Sequence, residues 1–241
     1  MAPLHVMKGP LNATSAPISN GLGLLDIKLL ALKGMPAYSE YVQKCFSQKL
    51  QNNIGAALQC QDVAVIVERD WGSLQPESRR KIRLGIVEHL KKNNLPLSPD
   101  DELALLNLKA VPKIKGLALS ISHCQSLGGY ALSQTARSLG FDIEDKIAIK
   151  KRVVERVAGL DEIQRAPDYQ MLWSAKEAVW KSLIRQPSPL PSIKIASWQL
   201  HGSEVFTFTA EWSDSAIAGF IPGRGCVLGD DERWYGFFIP I

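Results

Sequence analysis

Leu139-Gly140-Phe141-Asp142-Ile143-Glu144 sets two acids on alternate residues of a stretch that reads as a β-strand. A period of two sends Asp142 and Glu144 to one face and Phe141 and Ile143 to the other, one face for charge and one for a core. Further along, Gly159 and Pro167 break the chain ahead of Trp173-Ser174-Ala175-Lys176-Glu177-Ala178-Val179-Trp180-Lys181, an unbroken run of good helix formers. The predicted helix runs from Asp168 to Ile184, with Leu172, Ala175, Val179 and Leu183 as its core stripe. Trp173, Glu177 and Lys181, each four residues apart, share the neighbouring stripe. If this helix packs on the acidic strand, Asp142, Glu144 and Glu177 converge beside Lys181. Carboxylates at that density are costly unless a hard cation neutralises them, and Mg²⁺ takes a few carboxylate oxygens together with phosphate oxygens. The plainer alternative makes Glu177 and Lys181 a surface ion pair worth a few tenths of a kcal/mol. Two tryptophans, at 173 and 180, argue against a wholly exposed helix.

The 241 residues are enough to bury one large core or two modest ones. With 46% hydrophobic and 22% charged residues the composition is that of a globular protein. A net charge of +4 is too mild to point to nucleic acid, but it suits an acidic partner. No apolar run approaches the roughly 20 residues that a membrane span needs. Residues 1–20, rich in Pro, Ser, Asn and Ala, read as a loose leader without the pattern of a signal peptide. Cys45, Cys60, Cys124 and Cys226 are scattered without a CxxC pair, which speaks against a disulfide framework or a zinc site and for a reducing, cytoplasmic setting.

In chain order, Leu22–Leu32 is predicted as a strand, Tyr38–Leu58 as a helix and Val63–Val67 as a buried strand. Pro76-Glu77-Ser78 opens a helix whose stripe is Ile82, Ile86, Val87 and Leu90, ending at Asn93-Asn94-Leu95-Pro96. Arg79, Arg80, Lys81 and Arg83 crowd its first turns, where cations oppose the helix dipole. Asp100–Leu108 fits either a short helix or a strand. Leu117–His123 reads as a strand, Gly128-Gly129 as a turn, Tyr130 onward as a second strand and Ser138–Glu144 as a third, an antiparallel meander that ends on the acidic pair. Asp145–Ala158 is expected to be a helix with Ile149, Val153, Val154 and Val157 inward and Lys146, Lys150, Lys151, Arg152 and Arg156 outward. Four strands close the chain: Ile193–Leu200, Val205–Trp212, Ala216–Ile221 and Trp234–Ile239.

G-F-D-I-E at 140–144 followed by W-S-A-K-E-A-x-x-K at 173–181 resembles the signature of the 4′-phosphopantetheinyl transferases, in their larger single-chain form named after the surfactin-synthetase activator. The two motifs stand in the family's order, about 35 residues apart, and Ile121-Ser122-His123 lies upstream where the family has its own Ser-His. The resemblance covers roughly Ser120 to Leu183; the first 60 residues have no counterpart in it. It implies an α+β fold of two pseudo-twofold subdomains, each an antiparallel sheet packed with helices. Here these would be residues 21–136 and 137–241, the second carrying the metal site, with coenzyme A in the cleft between.

The implied reaction moves the 4′-phosphopantetheine arm of coenzyme A to a serine of an apo acyl, polyketide or peptidyl carrier protein, releasing 3′,5′-ADP. Asp142, Glu144 and Glu177 would hold Mg²⁺. Glu177 would deprotonate the carrier serine, and Lys181 would bind the pyrophosphate and assist the leaving group. Ser122 and His123 would hold the nucleotide's phosphates, although a histidine at a strand end is more often structural. Arg80, placed by the helix period of the apolar residues after it, would contact the nucleotide end. The family's Gly-Lys-Pro turn is absent, and Lys109 or Lys113 stands where its lysine would; the family's upstream basic loop is absent as well. The basic face after the acidic strand would dock the acidic carrier. A single-chain pseudo-dimer has no need to self-associate, so a monomer is expected. Two rivals use the same residues: another Mg²⁺-dependent phosphotransferase or pyrophosphate hydrolase, and a non-catalytic module that binds an acidic partner.

Overall fold

A computed structural model describes residues 36–73, 76–109, 113–183, 189–212 and 220–241. The expected leader and the strand Leu22–Leu32 lie outside these residues. Contacts divide the chain into two compact units, Met1–Tyr41 and Val42–Ile241. The first contributes to the described residues only the opening of a helix, and the second holds everything else.

The protein is α+β, with two antiparallel sheets packed with helices. Helix α1 spans Pro36–Leu58, followed by strand β1 (Ala64–Glu68), helix α2 (Pro76–Lys92) and helix α3 (Pro99–Leu106). All four stripe residues of α2 (Ile82, Ile86, Val87 and Leu90) are buried. The segment after Leu97 resolves as helix because Ser98 and Asp101 form a capping box, with Pro99 in the first turn. Strands β2 (Ala118–His123) and β3 (Gly128–Ser133) complete the first sheet, in the order β1-β3-β2. The turn between them is Cys124–Leu127, closed by the Cys124 N–H donating to the Leu127 carbonyl at 2.8 Å. The expected turn at Gly128-Gly129 is instead the start of β3. A Cβ on Gly128 would come within 2.3 Å of the Trp71 carbonyl oxygen, so this glycine permits a close backbone approach rather than a reversal.

The expected meander does not form. Both edges of β3 are taken, by β1 and by β2, and β4 (Gly140–Asp145) opens a second sheet of order β4-β8-β7-β6-β5. Asp62 ends β3 by accepting from the Ser133 hydroxyl (2.7 Å) and from the Gln134 and Thr135 N–H groups (2.8 Å each). Strands β5 (Ile193–His201), β6 (Val205–Trp212), β7 (Phe220–Gly229) and β8 (Arg233–Pro240) supply the rest. The third C-terminal strand, whose expected start at Ala216 lies outside the described residues, runs beyond the expected Ile221 to Gly229, because Cys226, Val227 and Leu228 are core positions paired with β8.

The helix expected over Asp145–Ala158 is also absent. A 3₁₀ turn, Lys146–Ala148, and a one-turn helix α4 (Lys151–Val154) stand in its place. Ile149 and Lys150 are extended, no side chain caps α4, and only Ile149 and Val154 of the four expected inward residues are buried. β-Branched residues are poor helix formers, and so short a segment cannot pay for a helix nucleus without tertiary contacts. After α5 (Leu160–Arg165) comes α6 (Tyr169–Ser182), with Asp168 as N-cap.

The two sheets adjoin at β2 and β4. No ladder joins them; the Phe141 and Ile143 N–H groups donate to the hydroxyls of Ser120 (2.9 Å) and Ser122 (3.0 Å). On one side of the junction Leu50, Ile54 and Leu58 of α1 share a core with Val65 and Val67 of β1 and with Phe141, Ile143, Cys226, Tyr235 and Phe237 of the second sheet. The opposite face of the second sheet packs on Leu172, Ala175 and Val179 of α6. Among the described residues no helix is long and apolar enough to cross a membrane.

Candidate active site

On β4 the predicted alternation holds. Phe141 and Ile143 point into the α1 core, where Phe141 stacks on Phe237 at 4.7 Å between centroids. Asp142 and Glu144 point the other way, toward α6. That helix approaches closely at Gly140, where a Cβ would lie 1.7 Å from the Ala178 carbonyl oxygen. Glycine at 140 therefore sets how near the helix can come.

Asp142 is 1% exposed and densely bonded. Its Oδ1 accepts from the Lys181 ammonium at 2.7 Å and from the Ser122 hydroxyl at 3.3 Å, and its Oδ2 accepts from the Ser174 hydroxyl at 3.0 Å. Lys181 also donates to Ser122 Oγ at 2.9 Å. These contacts use two of the three ammonium donors. Glu144 Oε1 accepts from the Trp173 indole N–H at 3.2 Å. Burial and the charges of Asp142 and Glu177 push the Glu144 carboxyl up to about 7, against the pull of Trp173 and Lys181. Burial, followed by Asp142, also raises Glu177, while Lys181 opposes the rise. Asp142, Glu144, Glu177 and Lys181 thus lie within one another's electrostatic reach, with more carboxylate than the ammonium offsets.

His123, at the end of β2, completes the group. Its Nε2 accepts from Arg79 Nε at 3.3 Å, which places the ring proton on Nδ1, and Nδ1 is buried without a partner among the described residues. Burial, then Arg79 and Lys181, lower its affinity for a second proton, so the free ring is neutral.

The structure brings Ser122, His123, Asp142, Glu144, Glu177 and Lys181 together from β2, β4 and α6. It treats the other expected residues differently. Arg80 is exposed on α2, and its neighbour Arg79 is the arginine that reaches His123. The helix period fixes the face of α2 but not which of two adjacent arginines turns toward β2. Lys109 and Lys113 are exposed on either side of residues 110–112, and no described contact ties either to the carboxylates. Ser122 is 4% exposed, and its hydroxyl accepts from Ile143 N–H and Lys181 while facing Asp142. Its place is that of a bridge between β2 and β4. Trp173 and Ser174, which hold Glu144 and Asp142, went unassigned in the sequence, although Trp173 shares the stripe of Glu177 and Lys181.

The donors fit a small hard cation. All are carboxylate oxygens, Glu144 is under-neutralised, and a divalent charge would lower the carboxyls that burial has raised. Glu144 and Glu177 would be the first to hold it, and Asp142 would join by exchanging Lys181 for the ion. Among the described residues no three His, Cys, Asp or Glu side chains are grouped in a form ready to bind a metal. Lys181 is the cation paired with Asp142, at 2.7 Å. A scan against models of known protein families gives no match, and no curated protein matches the chain.

Proposed function

We propose that the protein transfers the 4′-phosphopantetheine arm of coenzyme A to a serine of an apo carrier protein, with Mg²⁺ as cofactor and 3′,5′-ADP as the product released. The observation that carries this reading is the convergence of Asp142, Glu144, Glu177 and Lys181 beside the Ser122-His123 end of β2, from stretches up to 59 residues apart. The same reading takes the two sheets as the cores of pseudo-twofold halves.

Glu177, raised by burial, is the base that accepts the hydroxyl proton as the serine oxygen bonds to phosphorus. The bond broken is that between the same phosphorus and the oxygen that leaves with 3′,5′-ADP. Lys181, once it exchanges Asp142 for phosphate, stabilises the charge that develops on the leaving oxygen. Mg²⁺, when bound, supplies charge neutralisation and Lewis acidity at the pyrophosphate. Arg79 and His123 grip a phosphate of the nucleotide, an anion that favours the charged imidazole. Trp173 and Ser174 hold Glu144 and Asp142 in place.

Lys150, Lys151, Arg152 and Arg156 are exposed just after β4, and their charge suits an acidic carrier helix. Lys146 is turned away from them, over the Trp234 ring at 4.1 Å. The test is to incubate the purified protein with an apo carrier, coenzyme A and Mg²⁺, and to weigh the carrier by mass spectrometry. Addition of the arm supports the reading. Cleavage of the pyrophosphate without carrier labelling would replace it with a hydrolase, and no turnover at all with any carrier class would remove it.

A further inference from the structure

Asp145 follows Glu144 directly and points to the other side of the junction. It is 9% exposed and gathers the β2–β3 turn. The Ser126 hydroxyl donates to its Oδ1 at 2.5 Å, the Gln125 N–H to its Oδ2 at 3.0 Å and the Cys124 thiol to its Oδ1 at 3.2 Å. Three consecutive residues of one turn are thus held by one carboxylate. Arg233 closes the network from β8. Its Nε donates to Ser126 Oγ at 2.9 Å and lies 3.6 Å from Asp145 Oδ1, while its Nη1 pairs with Asp230 at 3.3 Å. Asp230 in turn accepts from the Tyr235 hydroxyl at 2.7 Å. His123 is the residue before Cys124, so Asp145 clamps the chain one residue beyond His123 and one residue beyond Glu144.

We infer that Asp145 is a positioning residue that fixes His123 relative to the carboxylates by latching the turn Cys124–Leu127 across the two sheets; this rests on the reading of His123 as a phosphate grip. Among the described residues the other hydrogen bonds between β2 and β4 run through serine hydroxyls, which set spacing but not the orientation of the strand's last residue. A carboxylate that accepts from a backbone N–H and two side chains of one turn is a far stiffer constraint.

The experiment measures binding of 3′,5′-ADP by calorimetry and steady-state transfer from coenzyme A, in the full chain with Mg²⁺ present. Asn at 145 cannot accept at both atoms. Asp145→Asn should therefore weaken 3′,5′-ADP binding and raise KM for coenzyme A by about tenfold, with kcat within about threefold of wild type. Ser126→Ala removes one of the three contacts and should weaken binding by about threefold, and Ser126→Thr should restore it. These two milder variants carry the test if Asp145→Asn does not fold. In a His123→Ala background the added loss should vanish, because Asp145 acts through that ring. Folded variants with unchanged affinity, or a loss that persists undiminished without His123, would overturn the inference. Failure of the wild-type protein to bind 3′,5′-ADP or coenzyme A would remove the functional reading and this inference with it, whereas normal wild-type binding with indifferent variants removes the inference alone.

Discussion

Glu144 and Asp142 are two residues apart on one strand, yet the surroundings treat them differently. Asp142 is bonded directly to Lys181, Ser174 and Ser122, whereas Glu144 accepts one bond, from the Trp173 indole, and feels Lys181 at longer range against two carboxylate neighbours. A carboxyl held near 7 in the folded state and near 4.5 when unfolded favours folding least once it is ionised. The cost appears as pH rises from about 4.5 through 7, and for a partly exposed group it amounts to about 2–3 kcal/mol. The metal-free protein should therefore lose thermal stability between pH 5 and 8, and Glu144→Gln should flatten that slope. Mg²⁺ should raise Tm more at pH 8 than at pH 6, because proton and metal compete for the same oxygens; a shift independent of pH would count against Glu144 as a ligand. Glu177→Gln is nearly isosteric, so the fold should persist while transfer falls by roughly 10²–10⁴-fold, the usual share of general-base catalysis. Full activity in that variant, read by carrier mass, would take Glu177 out of the mechanism. His123 makes a complementary prediction. Neutral in the free protein, it should take up a proton when a phosphate binds, so 3′,5′-ADP should bind more weakly as pH rises through 7. Calorimetry in buffers of different ionisation enthalpy would register that proton.

Among the elements, α6 decides the site, and its sequence carries two kinds of information. The four-residue spacing of Trp173, Glu177 and Lys181 made the stripe facing β4 legible, since helix geometry alone places them together. Lys176 was not legible in the same way. It is fully buried on the far side of the helix, paired with Glu162 at 3.0 Å. Its ammonium also donates to the Ile193 carbonyl, while Glu162 accepts from the Ile195 N–H at 2.7 Å. The ion pair thus satisfies backbone groups along the outer edge of β5 and ties α5, α6 and the sheet into one body. A lysine inside a run of helix formers gives no sign of such a partner, because Glu162 lies on another element. Breaking one side of a buried pair leaves an uncompensated charge, so Lys176→Met should cost about 3–5 kcal/mol in denaturant unfolding. The double variant with Glu162→Gln should recover part of that loss; a single variant as stable as wild type would mean that the pair is not buried in solution. Strand pairing was the part least legible. The letters of β3 and β4 mark both as strands, but whether they are neighbours depends on β1 reaching the free edge of β3 and on Asp62 ending it, contacts made across some 70 residues. The segment after Asp145 misled for a related reason. Its apolar spacing mimics a helix, while its β-branched residues and the pull of Ile149 and Val154 into the α6 core favour two short turns.

At the scale of the molecule, α1 is the element that makes one core of two sheets. Its sequence matches nothing in the motifs that define the site, yet Leu50, Ile54 and Leu58 pack against strands of both sheets, and Phe46 meets Tyr235 at 5.6 Å. Lys49 adds an exposed ion pair to Glu204 at 2.9 Å, of small worth beside that burial. The side of the junction that holds Asp142, Glu144, Glu177 and Lys181 is charged, so the apolar side must hold the two sheets in register. Ser122 and Asp145 can orient His123 against Asp142 and Glu144 only while that register is kept. Ile54, wholly buried, is the residue with which to ask whether the sheets share their stability. Ile54→Ala removes apolar volume that the backbone cannot fully reclaim and should cost about 2–5 kcal/mol. Because the cavity would lie in a core common to both sheets, hydrogen exchange should quicken by a similar free energy in β3 (Gly128–Ser133) and in β7–β8 (Phe220–Gly229 and Arg233–Pro240). Two independent cores would predict something else: loosening of one sheet, the other keeping its protection. That second outcome would mean that the sheets are held together by the polar contacts at β2 and β4 alone, and that the site is assembled by its own side chains rather than by the fold behind it.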